Sequence, residues 1–170
     1  MLYTSAEANK LLREKNEAYN ALLKKEEMSS SFVVTIQEDP ESLRPEYDYQ
    51  ETQQKLQKLA KEIRQIKHAI NTFNLETMIP EFEMTIDQML VYIPQLTAAK
   101  KKYDKMRTRL PKQRVKSDRF MPSSNFVEYD YANYQVADAE TDYDRVAKEL
   151  AKAQTALDVV NNSVQFEIEL

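Results

Sequence analysis

Two stretches of the chain place apolar or small residues at an unbroken 3-4-3-4-3-4-3 spacing. One runs Tyr49, Thr52, Leu56, Leu59, Ile63, Ile66, Ile70, Phe73; the other runs Val136, Ala139, Tyr143, Val146, Leu150, Ala153, Leu157, Val160. The spacing sets each group on one narrow stripe of a long helix, the geometry by which helices of bundles and coiled coils meet.

Two further helices follow from their start signals. Thr4-Ser5-Ala6-Glu7 carries the side chains of a capping box, hydroxyl to one orphan amide and carboxylate back to another. Ala8, Leu11, Leu12, Ala18, Tyr19, Leu22 and Leu23 then give this helix an apolar face ending near Met28. Thr85-Ile86-Asp87-Gln88 repeats the box with Gln for Glu, and directs Ile86, Met89, Leu90, Ile93, Leu96, Tyr103 and Leu110 toward a core. Pro94 inside that helix predicts either a kink or a restart, and Pro111 stops it. Asp48 is the expected cap of the first seam helix, which should end around 71–74.

The remaining segments read as connections and short strands. Phe32-Val33-Val34-Thr35-Ile36 is β-branched and follows Ser29-Ser30-Ser31, so it predicts a strand; 38–45, with Pro40 and Pro45, predicts a loop. Residues 78–84 read as an extended connection, and 112–126 as an exposed loop with strand character at Val115 and at Phe126-Val127. The tail alternates Val164, Phe166, Ile168 and Leu170 with polar residues, the pattern of a half-buried strand that pairs with 32–36, a short docked helix being the alternative. The fold expected is mainly α, an antiparallel long-helix bundle of about four helices in one domain over 1–170. Its small β element comes from strands near 32–36 and 163–170.

Composition narrows function mainly by exclusion. The 170 residues include no glycine, and a P-loop, a dinucleotide-binding turn and a nucleophile elbow all depend on one. Cysteine is absent too, which excludes thiol catalysis, disulfides and Cys-based zinc sites and is compatible with a reducing cytoplasm. Met1 to Glu7 lacks the basic and apolar regions of a signal peptide, and the longest apolar run, Met89 to Ile93, is far short of the ~20 residues of a membrane helix. A cytoplasmic location is therefore expected. Charge is uneven: Lys100 to Arg119 holds ten basic residues less two acidic ones, or +8, leaving −12 elsewhere for the total of −4.

A repeat is suggested by Glu46-Tyr47-Asp48-Tyr49, which recurs 82 positions on as Glu128-Tyr129-Asp130-Tyr131, and by the capping boxes, 81 apart. Each half, about 1–80 and 81–170, would be helix, connection, Glu-Tyr-Asp-Tyr, helix. The seam stripes are out of phase with this, Tyr49 matching Val136 at 87.

Few residues carry candidate chemistry. His68 is the only histidine and sits on the outward face of its helix, so a His-based metal cluster and a Ser-His-Asp site are excluded. Asp138, Glu140, Asp142 and Asp144 read as a solvated helix face opposite the seam rather than a cation site, since a helix face offers few ligands at once. No metal or cofactor is expected. Candidate anion or partner contacts are Arg109, Arg114, Lys116 and Arg119, with Tyr129, Tyr131 and Tyr134 from a chain unusually rich in tyrosine, ten in all. Basic side chains beside aromatic rings suit phosphates and bases, although cations near a helix C-terminus also have a structural reason. Tyrosine equally suits a bundle rim or an oligomer interface.

The order and wording of several segments resemble the septicolysin-like family of small bacterial helical proteins. The carriers are Ala69-Ile70-Asn71-Thr72-Phe73-Asn74, Thr85-Ile86-Asp87-Gln88-Met89-Leu90, the basic stretch, and a last helix closing on Ala156-Leu157-Asp158-Val159-Val160-Asn161-Asn162 before an acidic and apolar tail. The resemblance implies a mainly helical protein, and its name suggests a cytolysin; pore formation would need a membrane-inserting segment, whereas the seams are better explained as core. The preferred expectation is a non-enzymatic helical protein that self-associates as a homo-oligomer. A nucleotide- or nucleic-acid-binding protein using the basic 100–119 segment is the alternative, and a septicolysin-like cytolysin the lesser one.

Overall fold

The computed structural model describes residues 1–115 and 127–170. Among them are four long helices, one short helix and six strands of two or three residues, so the fold is mainly α with small β elements. In chain order these are β1 (Leu2–Thr4), α1 (Ser5–Ser29), α2 (Pro40–Leu43), α3 (Tyr49–Glu76), β2 (Met78–Ile79), β3 (Met84–Thr85), α4 (Ile86–Arg107), β4 (Lys112–Arg114), β5 (Tyr129–Tyr131), α5 (Val136–Ser163) and β6 (Gln165–Glu167). They divide into two compact units, Met1–Thr77 with Val159–Leu170, and Met78–Asp158.

In the first unit, α1 and α3 form an antiparallel hairpin. Both capping-box bonds are present at Thr4, whose hydroxyl accepts from the Glu7 amide while its own amide donates to the Glu7 carboxylate at 2.8 Å. Ala8 of α1 packs with Ile66 and Ile70 of α3 and with Ile168 of the tail, and Tyr3, Leu11, Leu12, Ala69 and Phe166 close around them. Farther along, Lys15 meets Glu62 at 2.7 Å, and Glu26 accepts from Tyr47 at 2.7 Å and Gln53 at 2.5 Å. Contacts at 8 with 66, 15 with 62 and 26 with 53 fix the antiparallel sense. Asp48 caps α3 by accepting from the Glu51 amide at 2.9 Å.

The tail forms a strand rather than a helix, and it pairs with β1: Leu2 opposite Glu167, Tyr3 opposite Phe166, Thr4 opposite Gln165. The expected partner, 32–36, is not a strand. It lacks a ladder, and it ends at a turn that includes Ile36, where the Glu38 amide donates to the Thr35 carbonyl and the Glu38 carboxylate accepts from the Thr35 amide and hydroxyl. The strand composition of these five residues thus does not lead to a ladder, and β6 pairs with β1 instead. The expected loop at 38–45 contains α2, capped by Asp39 and opened by Pro40 at its first position, where proline's missing N–H costs nothing.

The second unit holds an antiparallel pair of its own, α4 with α5, joined by Tyr92 to Glu149, Arg107 to Tyr143 and Tyr134 to Met106. The capping box at Thr85 forms as expected, and β2 pairs with β3, Met78 opposite Thr85 and Ile79 opposite Met84. The turn between them places Glu83 at φ 50°, the left-handed region a glycine would take at less cost, and this chain has no glycine. Helix α4 runs through Pro94 without restarting, and Leu90 and Leu110, expected in the core, are exposed, Leu110 lying beyond the helix end. Both seam stripes are buried over most of their length; Tyr49, at the first turn of α3, is the exposed exception.

The element boundaries also account for the two offsets in the sequence. Starts of α1 and α4 lie 81 apart, whereas α3 and α5 start and end 87 apart, at 49 and 136 and at 76 and 163. The connection between α4 and α5 is nine residues longer than that between α1 and α3, and α4 is three shorter than α1, a net shift of six. At both box-bearing strands the capping threonine faces the residue two past a long-helix end, Gln165 for Thr4 and Met78 for Thr85.

Candidate functional site

Three surfaces merit attention: the hairpin formed by β4 and β5, the unpaired segment 32–36, and a cleft at the C-terminal end of α3. The hairpin gathers most of the residues the sequence singles out. Lys112 lies opposite Tyr131 and Arg114 opposite Tyr129, with Gln113 opposite Asp130 between them. The Lys112 ammonium sits 4.1 Å from the Tyr129 ring centre and 5.4 Å from that of Tyr131, and the rings are 6.4 Å apart. Arg109 pairs with Asp130, a hydrogen bond that holds the guanidinium firmly charged. Tyr134 donates to the Met106 carbonyl at 2.8 Å, in the last turn of α4, an acceptor it shares with the Arg109 amide. Lys116 and Arg119 lie outside the described residues.

The basic stretch is therefore largely engaged within its own unit. Arg107 bonds Asp104 at 3.0 Å and stacks 3.9 Å from the centre of Tyr143, and Lys100 and Lys102 stand over the rings of Tyr143 and Tyr103. Such contacts use the faces that would otherwise meet phosphates or bases. Neither Lys112 nor Arg114 of the hairpin has an ion pair with a described residue, and both are exposed, Arg114 without the ring contacts that Lys112 makes. On α5 the acidic group is a surface face, Asp142 pairing with Arg145 at 2.9 Å.

In the segment 32–36 burial alternates from Phe32 to Thr35, and Ile36 breaks the pattern. Phe32 and Val34 are partly buried, the former under the Arg44 guanidinium at 5.5 Å, while Val33 is 97% exposed and Ile36 fully exposed. The exposed pair is the largest departure from apolar burial in the connection.

The cleft has a volume of about 300 Å³. Its floor is Phe73 of α3 stacked on Phe166 of β6, ring centres 4.4 Å apart and 19° from parallel. His68, Thr72, Glu76 and Glu167 stand around it. His68 is exposed, as its helical phase predicts, but it borders this cleft. Sequence reasoning missed the site because Phe73 and Phe166 are 93 residues apart, and the clue, an aromatic at the end of a stripe and another in an alternating tail, became a contact only through the pairing of β6 with β1.

Shifts in acidity follow the same local logic. The Tyr47 hydroxyl, bonded to the Glu26 carboxylate, is pushed up to about 12. Burial, then the charge of Glu149, raises Tyr92. Hydrogen bonds from Thr4, Thr35 and Arg44 lower Glu7, Glu38 and Glu41 respectively.

No family model matches the chain, and no curated protein matches it either. Among solved structures the fold is similar to that of a functionally unknown conserved protein from Corynebacterium diphtheriae, with a TM-score of 0.60, 18% identity, and 98% of this chain and 100% of that one covered. At that identity the likeness establishes the fold alone. No helix among the described residues is long and apolar enough to cross a membrane.

Proposed function

We propose that the protein acts by binding rather than catalysis, as a self-associating interaction protein whose contact is the segment 32–36. The observation that carries this reading is that this β-branched segment joins no ladder and leaves Val33 and Ile36 in water. Two copies meeting about Val34 would bring the exposed Val33 and Ile36 of one against those of the other, a self-complementary contact of the kind a two-fold dimer requires. Burying one such side chain is worth about 1.5–3 kcal/mol, so the segment contributes to association without being needed for folding. We also read the two halves as copies of one helical hairpin, on the strength of their matching boxes, helix lengths and strand registers.

Light scattering after size exclusion tests the reading directly. The native chain should run as a dimer at micromolar concentration, and V33E/I36E as a folded monomer with unchanged helical circular dichroism. A native chain that stays monomeric throughout the concentration range, or a double variant that still dimerises, would reject segment 32–36 as the contact.

A further inference from the structure

The cleft at the end of α3 combines aromatic surface with one sign of charge. Phe73 is buried and backs the ring of Phe166, which is half-buried and supplies the accessible aromatic surface. Glu76 and Glu167 are the charged side chains on its walls, and neither lysine nor arginine lines it. The last turn of α3 also lacks a basic residue, so the carbonyl end of the helix adds its own negative potential at Glu76. Glu167 lies 3.8 Å from the chain's terminal ammonium, both groups strongly exposed, while Glu76 has no ion pair with a described residue.

The repeated architecture shows that these residues are not demanded by the fold. At the 87-residue offset, His68, Phe73 and Glu76 correspond to Thr155, Val160 and Ser163, and Phe166 and Glu167 correspond to Ile79 and Pro80. Aliphatic and small residues fill the equivalent positions of helix end and strand. The flanking Ala69 and Asn74 do recur, as Ala156 and Asn161, while Thr72, Leu75 and Thr77 also change, to Val159, Asn162 and Val164, so the helix end tolerates several side chains at these positions.

We propose that this cleft binds a small organic cation, an ammonium or amidinium group carried on a flat apolar body. The body lies against Phe166 and the cation meets the ring face and the Glu76 carboxylate, two attractions that reinforce one another in a partly dry site. The cleft's size places it at the lower end of small-molecule pockets, which limits the ligand to about one ring and its head group. Anionic ligands are repelled by both carboxylates and by the helix end.

Benzamidinium is a suitable probe, titrated into the full chain and followed by backbone amide NMR. Saturable shifts should appear at residues 68–77 and 165–168 over a range reaching ~20 mM, the affinity so few heavy atoms can supply. Neutral benzamide should bind about tenfold more weakly, and benzoate more weakly still. Glu76→Gln, at an exposed position, should weaken benzamidinium about threefold to fivefold with the spectrum otherwise unchanged. Phe166→Leu should weaken it further, its amide dispersion serving as the check that β6 is still paired. Benzamide binding as tightly as benzamidinium, shifts centred elsewhere, or an affinity unaffected by Glu76→Gln would each overturn the proposal.

Discussion

The two halves of this chain begin alike and end differently. Helices α1 and α4 each open from a strand through a threonine capping box, yet one box closes on Glu7 and the other on Gln88. Helices α3 and α5 are both 28 residues long and turn into strands the same distance on, yet one stripe ends in Phe73 and the other in Val160. Shared features are those that backbone geometry requires: a hydroxyl for orphan amides and a bulky or small side chain every third or fourth position. The features that differ are side chains the geometry leaves free, and they coincide with the acidic, aromatic cleft where α3 meets β6.

The core offers the strongest way to break this comparison. Ile66 and Ala153 are equivalent and both fully buried, so the same stripe position is filled by a large residue once and by a small one once. Ile66→Ala should cost about 2–5 kcal/mol by denaturant unfolding, transfer and cavity contributions together. Ala153→Ile should cost about 1–3 kcal/mol by overpacking; a stabilising result would show that the two halves have interchangeable cores.

The boxes come next in size. Thr4→Ala and Thr85→Ala should each cost about 1 kcal/mol, and acid should separate them. Glu7 has its folded pKa lowered by the Thr4 amide, so its contribution is present above the unfolded carboxylate range and is lost as pH falls through the folded value. Gln88 does not titrate. Amide exchange should show the first turn of α1 losing protection in acid while that of α4 keeps it, and E7Q should abolish the contrast; equal acid fraying of both turns would contradict it.

The smallest expected effect lies in the turn that only the second unit possesses. Glu83→Gly relieves a left-handed backbone at a cost in unfolded-state entropy, and should stabilise by about 0.5–1 kcal/mol. A loss of stability would mean that the Glu83 side chain contributes more than its backbone costs.

Much of the helical framework was legible because its signals are local. Thr4, Asp48 and Thr85 cap where their side chains can reach an amide three residues on, and the stripes bury where their spacing repeats. Repetition of letters misled where it was not repetition of context. Asp48 caps a helix, whereas Asp130, in the same four-residue wording, lies in β5 and pairs with Arg109, because the longer second connection displaces it from the helix start. Phe32 to Ile36 has the composition of a strand, but composition does not say which strand reaches an edge first. Of the candidate contacts, Arg109, Arg114, Tyr129 and Tyr131 do converge on one hairpin, while the cleft was invisible until β1 and β6 paired.

The sequence by itself determined a glycine-free, cysteine-free chain of four long helices with known starts, since capping and periodicity act over a few residues. Only tertiary structure decided that the N-terminal strand pairs with the tail, that 32–36 is left without a partner, that the basic stretch turns onto its own tyrosines, and that Phe73 meets Phe166. Each of those is a competition among distant segments for the same edge, ring or charge, and its outcome depends on which of them the folded chain brings within contact distance.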